Sequence, residues 1–188
     1  MSMTAWGDER VRRRGVREPV YLLGAYLCPD DGGSLTADLS RFERGRKLHW
    51  RDTPGPVKRR VCQVIGAHEV SHVIVATAPL VDGVREERAR QRALASLLVI
   101  LEQSYSVNTL ILERRERSQD EKDEAQWATL TRSGAIRSLR LSHVHGGDEP
   151  RLWVPDQVLG AYGDALSGDA RAWEHVAHRV RVEHVGLL

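Results

Sequence analysis

The feature that most constrains this chain is an alternation of short apolar runs with stretches of helical periodicity. Val20–Leu27 is an apolar run rich in strand formers, stopped by Pro29 and the Asp-Asp-Gly-Gly turn at 30–33. Val73–Ala76 is β-branched and reads as a buried strand, and Thr109–Glu113 and Leu139–Ser142 read as further strands. Between them, Pro56–Ala67 puts Val57, Val61, Val64 and Ile65 on one helical face. Val84–Ser104 does the same with Leu94, Leu97, Leu98 and Leu101. Ser118–Ser133 opens on a Ser118/Glu121 capping box and stops before Gly134, and Pro155–Leu166 carries its proline at the first turn. The remaining segments read as a strand at Thr4–Asp8, a basic turn at Arg10–Arg17, a short helix at Ser34–Phe42 and a strand at Lys47–Arg51. A last helix at Ala170–His178 and a final strand at Val180–Val185 complete the chain. Strands first, then helix and strand in alternation, predict an α/β domain with a mixed sheet flanked by helices. Functional groups in such sheets gather at strand ends.

The length of 188 residues fits one domain spanning 1–188. No apolar run reaches the roughly 18 residues of a membrane span, and the first ten residues lack a secretory apolar segment. A cytoplasmic chain with no membrane partner is expected, with Cys28 and Cys62, both inside apolar runs, as reduced core residues. The formal charge is +2, so charge alone does not name a partner. Only three of the 28 cationic side chains are lysine (Lys47, Lys58 and Lys122), and the arginines are good phosphate ligands where they cluster. A single phenylalanine argues against an aromatic platform for stacking bases.

Carboxylates at element ends carry the main chemical hypothesis. Asp8 and Glu9 close the first expected strand, Glu113 closes the Thr109 strand, and Asp156 opens a helix after Leu152-Trp153-Val154-Pro155. Acids converging from separate elements repel unless a cation lies between them, and hard Mg²⁺ or Mn²⁺ suits an oxygen cage. Such ions support phosphodiester cleavage. In Lys47-Leu48-His49-Trp50-Arg51-Asp52, alternation places Lys47, His49 and Arg51 on one face, a row suited to a phosphate backbone. His49 would also move a proton or position the scissile phosphate. Basic groups flank the acids at Arg10, Arg12, Arg13, Arg14 and Arg17, and at Arg114, Arg115 and Arg117. His68-Glu69-Val70-Ser71-His72 matches H-E-x-x-H and suggests a zinc peptidase as a minor alternative, although the string straddles a helix end and a strand start. There is no G-x-S-x-G, P-loop or G-x-G-x-x-G string.

Five strings in order carry a resemblance: Trp6-Gly7-Asp8-Glu9, Tyr21-Leu22-Leu23-Gly24-Ala25, Lys47-Leu48-His49-Trp50, Leu112-Glu113-Arg114 and the stretch from Leu152 to Ala161. Together they resemble the ribonuclease-H-like bacterial family known as domain of unknown function 3800, over about Ala5 to Leu166. The resemblance implies a ribonuclease-H-like fold and metal-dependent cleavage of RNA or DNA. It implies Asp8, Glu113 and Asp156 as metal ligands and Glu9 as a supplementary ligand or water-orienting group. Lys47 and His49 match the family's Lys-x-His string, and Lys47, Arg51 and Arg114 are expected to hold the nucleic-acid backbone. Three positions depart from the pattern: Arg10 stands where Ser is usual, Pro155 where Ala is usual, and Glu113 where Asp is usual. A catalytically inactive module of the same fold, binding nucleic acid or a protein, is the alternative.

Overall fold

The apolar runs become the strands of one mixed sheet in the computed structural model, which describes residues 3–28, 32–43, 47–80 and 86–187. They are β1 (Met3–Arg12), β2 (Val20–Cys28), β3 (Ser71–Ala78), β4 (Val107–Glu113), β5 (Arg140–Val144) and β6 (Val180–Gly186). The spatial order is β5-β4-β1-β2-β3-β6. β1, β2 and β3 form an antiparallel meander, while β4 and β5 add parallel beside β1 and β6 adds parallel beside β3. β2, near the centre of the sheet, is buried along its whole length, which explains its unbroken apolar composition.

Helices α1 (Gly33–Ser40), α2 (Gly55–Ala67) and α5 (Trp153–Leu166) cover one face; α3 (Glu86–Tyr105) and α4 (Arg117–Arg132) cover the other. Alternation along β1 assigns its side chains to the two layers. Trp6 enters the α5 core and Ala5 the α3 core, so even-numbered positions face α5 and odd-numbered ones face α3. Cys62 lies in the α5-side core, where burial pushes its thiol up to about 12. Among the described residues, no helix is long and apolar enough to cross a membrane.

Three local expectations are corrected. Lys47–Arg51 is not a strand, because tertiary bonds capture its backbone. The Trp50 N–H donates to Asp156 at 2.8 Å, and the N–H groups of Asp52 and Thr53 turn back to the carbonyls of His49 and Trp50. The alternation itself survives, with Leu48 and Trp50 buried and His49 and Arg51 exposed. Ala170–His178 forms two short 3₁₀ turns, Trp173–His175 and Ala177–Arg179, rather than an α-helix. This segment docks on α2, where His178 donates from Nε2 to the Gly66 carbonyl at 3.2 Å and Val176 is fully buried. α4 starts after Glu116 with no side-chain cap, so the Ser118/Glu121 box does not form. Instead Asp120 accepts the Arg115 N–H at 3.1 Å, and Glu121 is held by Arg117 at 3.0 Å. The turn residues at 29–31 and the expected helix start at 84–85 lie outside the described residues.

Candidate active site

Parallel pairing of β1 and β4 sets Gly7 opposite Leu112, so the next step brings Asp8 beside Glu113. Both side chains point to the α5 face: Asp8 is an even position of β1, and Glu113 follows Ile111, which packs on the α5 core. Asp156 enters from the first turn of α5. Its carboxylate accepts the Trp50 N–H at 2.8 Å, with Arg10 Nη1 at 3.5 Å and His49 Nδ1 at 3.9 Å. Arg10 is two positions beyond Asp8 on the same face of β1, so strand alternation alone predicts its presence here.

The centre already contains cations. Lys47 Nζ donates to both Glu113 oxygens, at 2.7 and 2.5 Å, with its side chain only 11% exposed. Gly146 also lies against Glu113; a Cβ there would stand 2.5 Å from the carboxylate carbon. Glu113 therefore has Lys47 and Asp156 has Arg10, while the described residues give Asp8 no ion-pair partner. Asp8 bonds to the N–H of Glu9 at 2.7 Å. Burial, then the charges of Asp156 and Glu113, hold its carboxyl well above the usual carboxylate range, against the opposing pull of Lys47 and Arg90. The three carboxylates are therefore near enough for the charges of Asp156 and Glu113 to act on Asp8.

Glu9 lies on the opposite face of the sheet, away from the expected role of supplementary ligand. One residue of advance along a strand reverses the side chain. Its carboxylate accepts from the Tyr21 hydroxyl and from Arg90 on α3. Arg90 is 3% exposed, and it also grips Asp123 of α4 through Nε at 3.0 Å and Nη2 at 2.6 Å. Arg115, Gln91 and His143 bring further nitrogens to Asp123, at 3.1, 3.1 and 3.2 Å. Burial opposes ionisation of Asp123, but the bonds and charges of His143, Arg90 and Arg115 outweigh it and hold the carboxyl below its ordinary value. Asp120, Asp123 and His143 bring ligand atoms within 4.8 Å of one another. Two arginines already saturate Asp123, so this group is an internal ion-pair cluster before it is a metal cage. The oxygens of Asp8, Glu113 and Asp156 are not gathered as tightly, consistent with the hold of Lys47 and Arg10. Their donor set, three carboxylates of which Asp8 has no ion-pair partner among the described residues, is of the oxygen type that suits a hard divalent cation.

Among the expected site residues, the structure brings together Asp8, Glu113, Asp156, Lys47 and His49. Arg114 joins the rim of a cavity of about 150 Å³ lined by Asp8, Glu9, Glu113, Arg90 and Arg115. Arg51 does not converge; its side chain is 88% exposed and, among the described residues, its ion-pair partner is Asp52, at 3.8 Å. Sequence reasoning missed Arg90 and Asp123, yet both were signalled. Arg90 occupies the apolar stripe of Leu94, Leu97 and Leu101, and Asp123 that of Trp127 and Leu130. The zinc reading of His68–His72 loses its geometric basis. His68 ends α2 and pairs with Asp38 at 3.0 Å. His72 is buried in β3 against the Tyr26 ring, its pKa pushed down to about 3 by burial. Glu69 turns to Arg179 at 2.7 Å.

No protein-family model matches the sequence, and no curated protein matches it. The likeness to the 3800 family therefore rests on the motif strings alone. Among solved structures, ribonuclease HII of Archaeoglobus fulgidus, seen in a complex with PCNA, is similar with a TM-score of 0.54 and 11% identity. That likeness covers 94% of this chain and 87% of that one. A mutant of Bst-RNase HIII follows at a TM-score of 0.48 and 13% identity, over 93% of this chain and 64% of that one. The Mn²⁺ complex of Bst-RNase HIII follows at 0.45 and 11%, over 95% and 70%. The fold is ribonuclease-H-like: a mixed six-stranded sheet flanked by helices.

Proposed function

We propose that this chain is a divalent-metal-dependent nuclease that cleaves phosphodiester bonds of RNA or DNA. One observation supports the reading: Asp8, Glu113 and Asp156, from two neighbouring strands and a helix start, lie near one another, and among the described residues Asp8 has no ion-pair partner. These three residues would hold Mg²⁺ or Mn²⁺, which when bound supplies charge stabilisation at the phosphate and an activated water. The chain's own groups supply the rest. Lys47, Arg10 and Arg114 offset phosphate charge around the acids. His49, with its side chain 47% exposed beside Asp156, is placed to exchange a proton with solvent or substrate at Nε2 while Nδ1 faces the carboxylate. The Glu9–Arg90–Asp123 cluster pins β1 from behind, which fixes the backbone that carries Asp8. The ribonuclease HII likeness supports the fold on which such a site stands.

A second reading has its own support. Lys47 and Arg10 already pair two of the three acids, as expected of an inactive module that binds nucleic acid or a protein. The test is cleavage of end-labelled RNA, DNA and hybrid duplex with Mn²⁺ or Mg²⁺, wild type beside Asp8→Asn and Asp156→Asn. Metal-dependent cleavage lost in both variants supports the nuclease. Binding without cleavage of any substrate, equal in all three proteins, supports the inactive module.

A further inference from the structure

We propose that Lys47 is a resident counter-cation of the carboxylate centre, occupying the side of Glu113 that a divalent ion needs and yielding to that ion by moving into the adjacent cavity. The inference rests on the metal-centre part of the nuclease reading and adds what sets the centre's affinity. Four observations carry it. The ammonium bonds both oxygens of Glu113 and is 11% exposed, so it takes the carboxylate edge that would face a metal. Gly146 lies so near the same carboxylate that a Cβ there would overlap both of its oxygens, so the space around Glu113 is already taken by Lys47 and the Gly146 backbone. Asp8, brought beside Glu113 by the β1–β4 pairing, has no ion-pair partner among the described residues, so a second carboxylate stands ready next to Glu113.

The fourth observation is the space for Lys47 to go. A cavity of about 230 Å³ is lined by Lys47 itself together with Phe42, Leu48, His49 and Asp52, among others. A lysine stem of four methylenes covers apolar walls while its head stays polar, and Asp52 provides an alternative acidic partner. Lysine suits such a role better than arginine: it is a compact point charge on a flexible stem, without the planar fork that locks arginine to a carboxylate. In this arrangement Glu113 keeps a counter-cation without metal, and metal binding includes the work of displacing the ammonium.

The experiment is Mn²⁺ titration by calorimetry of wild type, Lys47→Met, Lys47→Gln and Asp8→Asn, with Arg171→Met as a control. Arg171 is an exposed cation paired with Asp169 beyond the far end of α5. Lys47→Met is expected to bind Mn²⁺ at least tenfold more tightly than wild type, with Arg171→Met unchanged. Lys47→Gln keeps an amide donor toward Glu113 and serves if the methionine variant does not fold; it too is expected to bind more tightly. Asp8→Asn is expected to lose binding. Affinity in both Lys47 variants equal to or weaker than wild type overturns the inference while leaving the metal centre standing. An equal gain in Arg171→Met overturns it in favour of a general charge effect. Absence of Mn²⁺ binding in wild type and both Lys47 variants overturns it together with the metal centre itself.

Discussion

Gly160→Ala separates local propensity from tertiary packing, because the two give opposite signs. Gly160 lies inside α5, where alanine is favoured over glycine by about 1 kcal/mol on helix propensity alone. The Trp50 ring rests directly on it, however. A Cβ at this position would overlap Cγ, Cδ1 and Cδ2 of Trp50, each by about 1 Å or more relative to ordinary carbon contact. Trp50 is 1% exposed and has no room to retreat. Overpacking of this kind costs about 1–3 kcal/mol. Displacing Trp50 also strains its bonds to two carboxylates, the N–H to Asp156 at 2.8 Å and the indole Nε1–H to Asp164 at 3.0 Å. Loss of one such bond adds about 1.5–3 kcal/mol. Net of the helix gain, the variant is expected to be less stable by about 1.5–5 kcal/mol. At about 2–4 °C per kcal/mol for a chain of this size, Tm falls by roughly 3–20 °C. Urea unfolding followed by tryptophan fluorescence measures the change as a lower midpoint at constant slope. Gly55→Ala, at the start of α2 with nothing within 4 Å of the new Cβ, is the control and is expected to lose nothing. A Gly160→Ala protein as stable as wild type, or more so, would falsify the packing argument.

Three further outcomes are expected. The Asp8 carboxyl ionises at higher pH in the folded protein than in the unfolded chain, so it opposes folding increasingly as pH rises above the unfolded value near 3.8. Asp8→Asn should therefore raise Tm at pH 7 by more than at pH 3.5, and an equal shift at both, by scanning calorimetry, counts against the coupling. Asp123 has the opposite sign: its ionised form contributes stability above about pH 3.8 that is lost as pH falls through its depressed folded value. Asp123→Asn leaves buried Arg90 without its bidentate partner and should cost about 3–5 kcal/mol at pH 7, with a flatter acid limb in urea midpoints between pH 4 and 2. Gly146→Ala pushes on the mobile end of Glu113 rather than on backbone, so Tm should move by only a few degrees while Mn²⁺ affinity falls; unchanged affinity in calorimetry would separate Gly146 from the site.

The layers were legible because burial leaves a periodic imprint. β2 is apolar at every position because helices cover both of its faces, and the stripe of Leu94, Leu97, Leu98 and Leu101 marks the inner face of α3. Glu113 and Asp156 were legible as acids at element ends, whereas Asp8, expected to close its strand, stands within β1, which runs on to Arg12 through the segment expected as a basic turn. Alternation within β1 also contained the answer on Glu9, since a neighbour of Asp8 must face the other layer. Local pattern misled at Lys47–Arg51 and at Ala170–His178. In both segments the backbone partners come from distant residues: Asp156 for Trp50, and Gly66 for His178. The pairing of each charge was likewise invisible in one dimension. Lys47 meets Glu113 across 66 positions and Arg90 meets Glu9 across 81, so only the closed sheet decides which cation neutralises which acid. Sequence periodicity settles which side of an element is buried; the charge balance of the centre depends on separations through space, which the chain acquires only when β1, β4 and α5 come together.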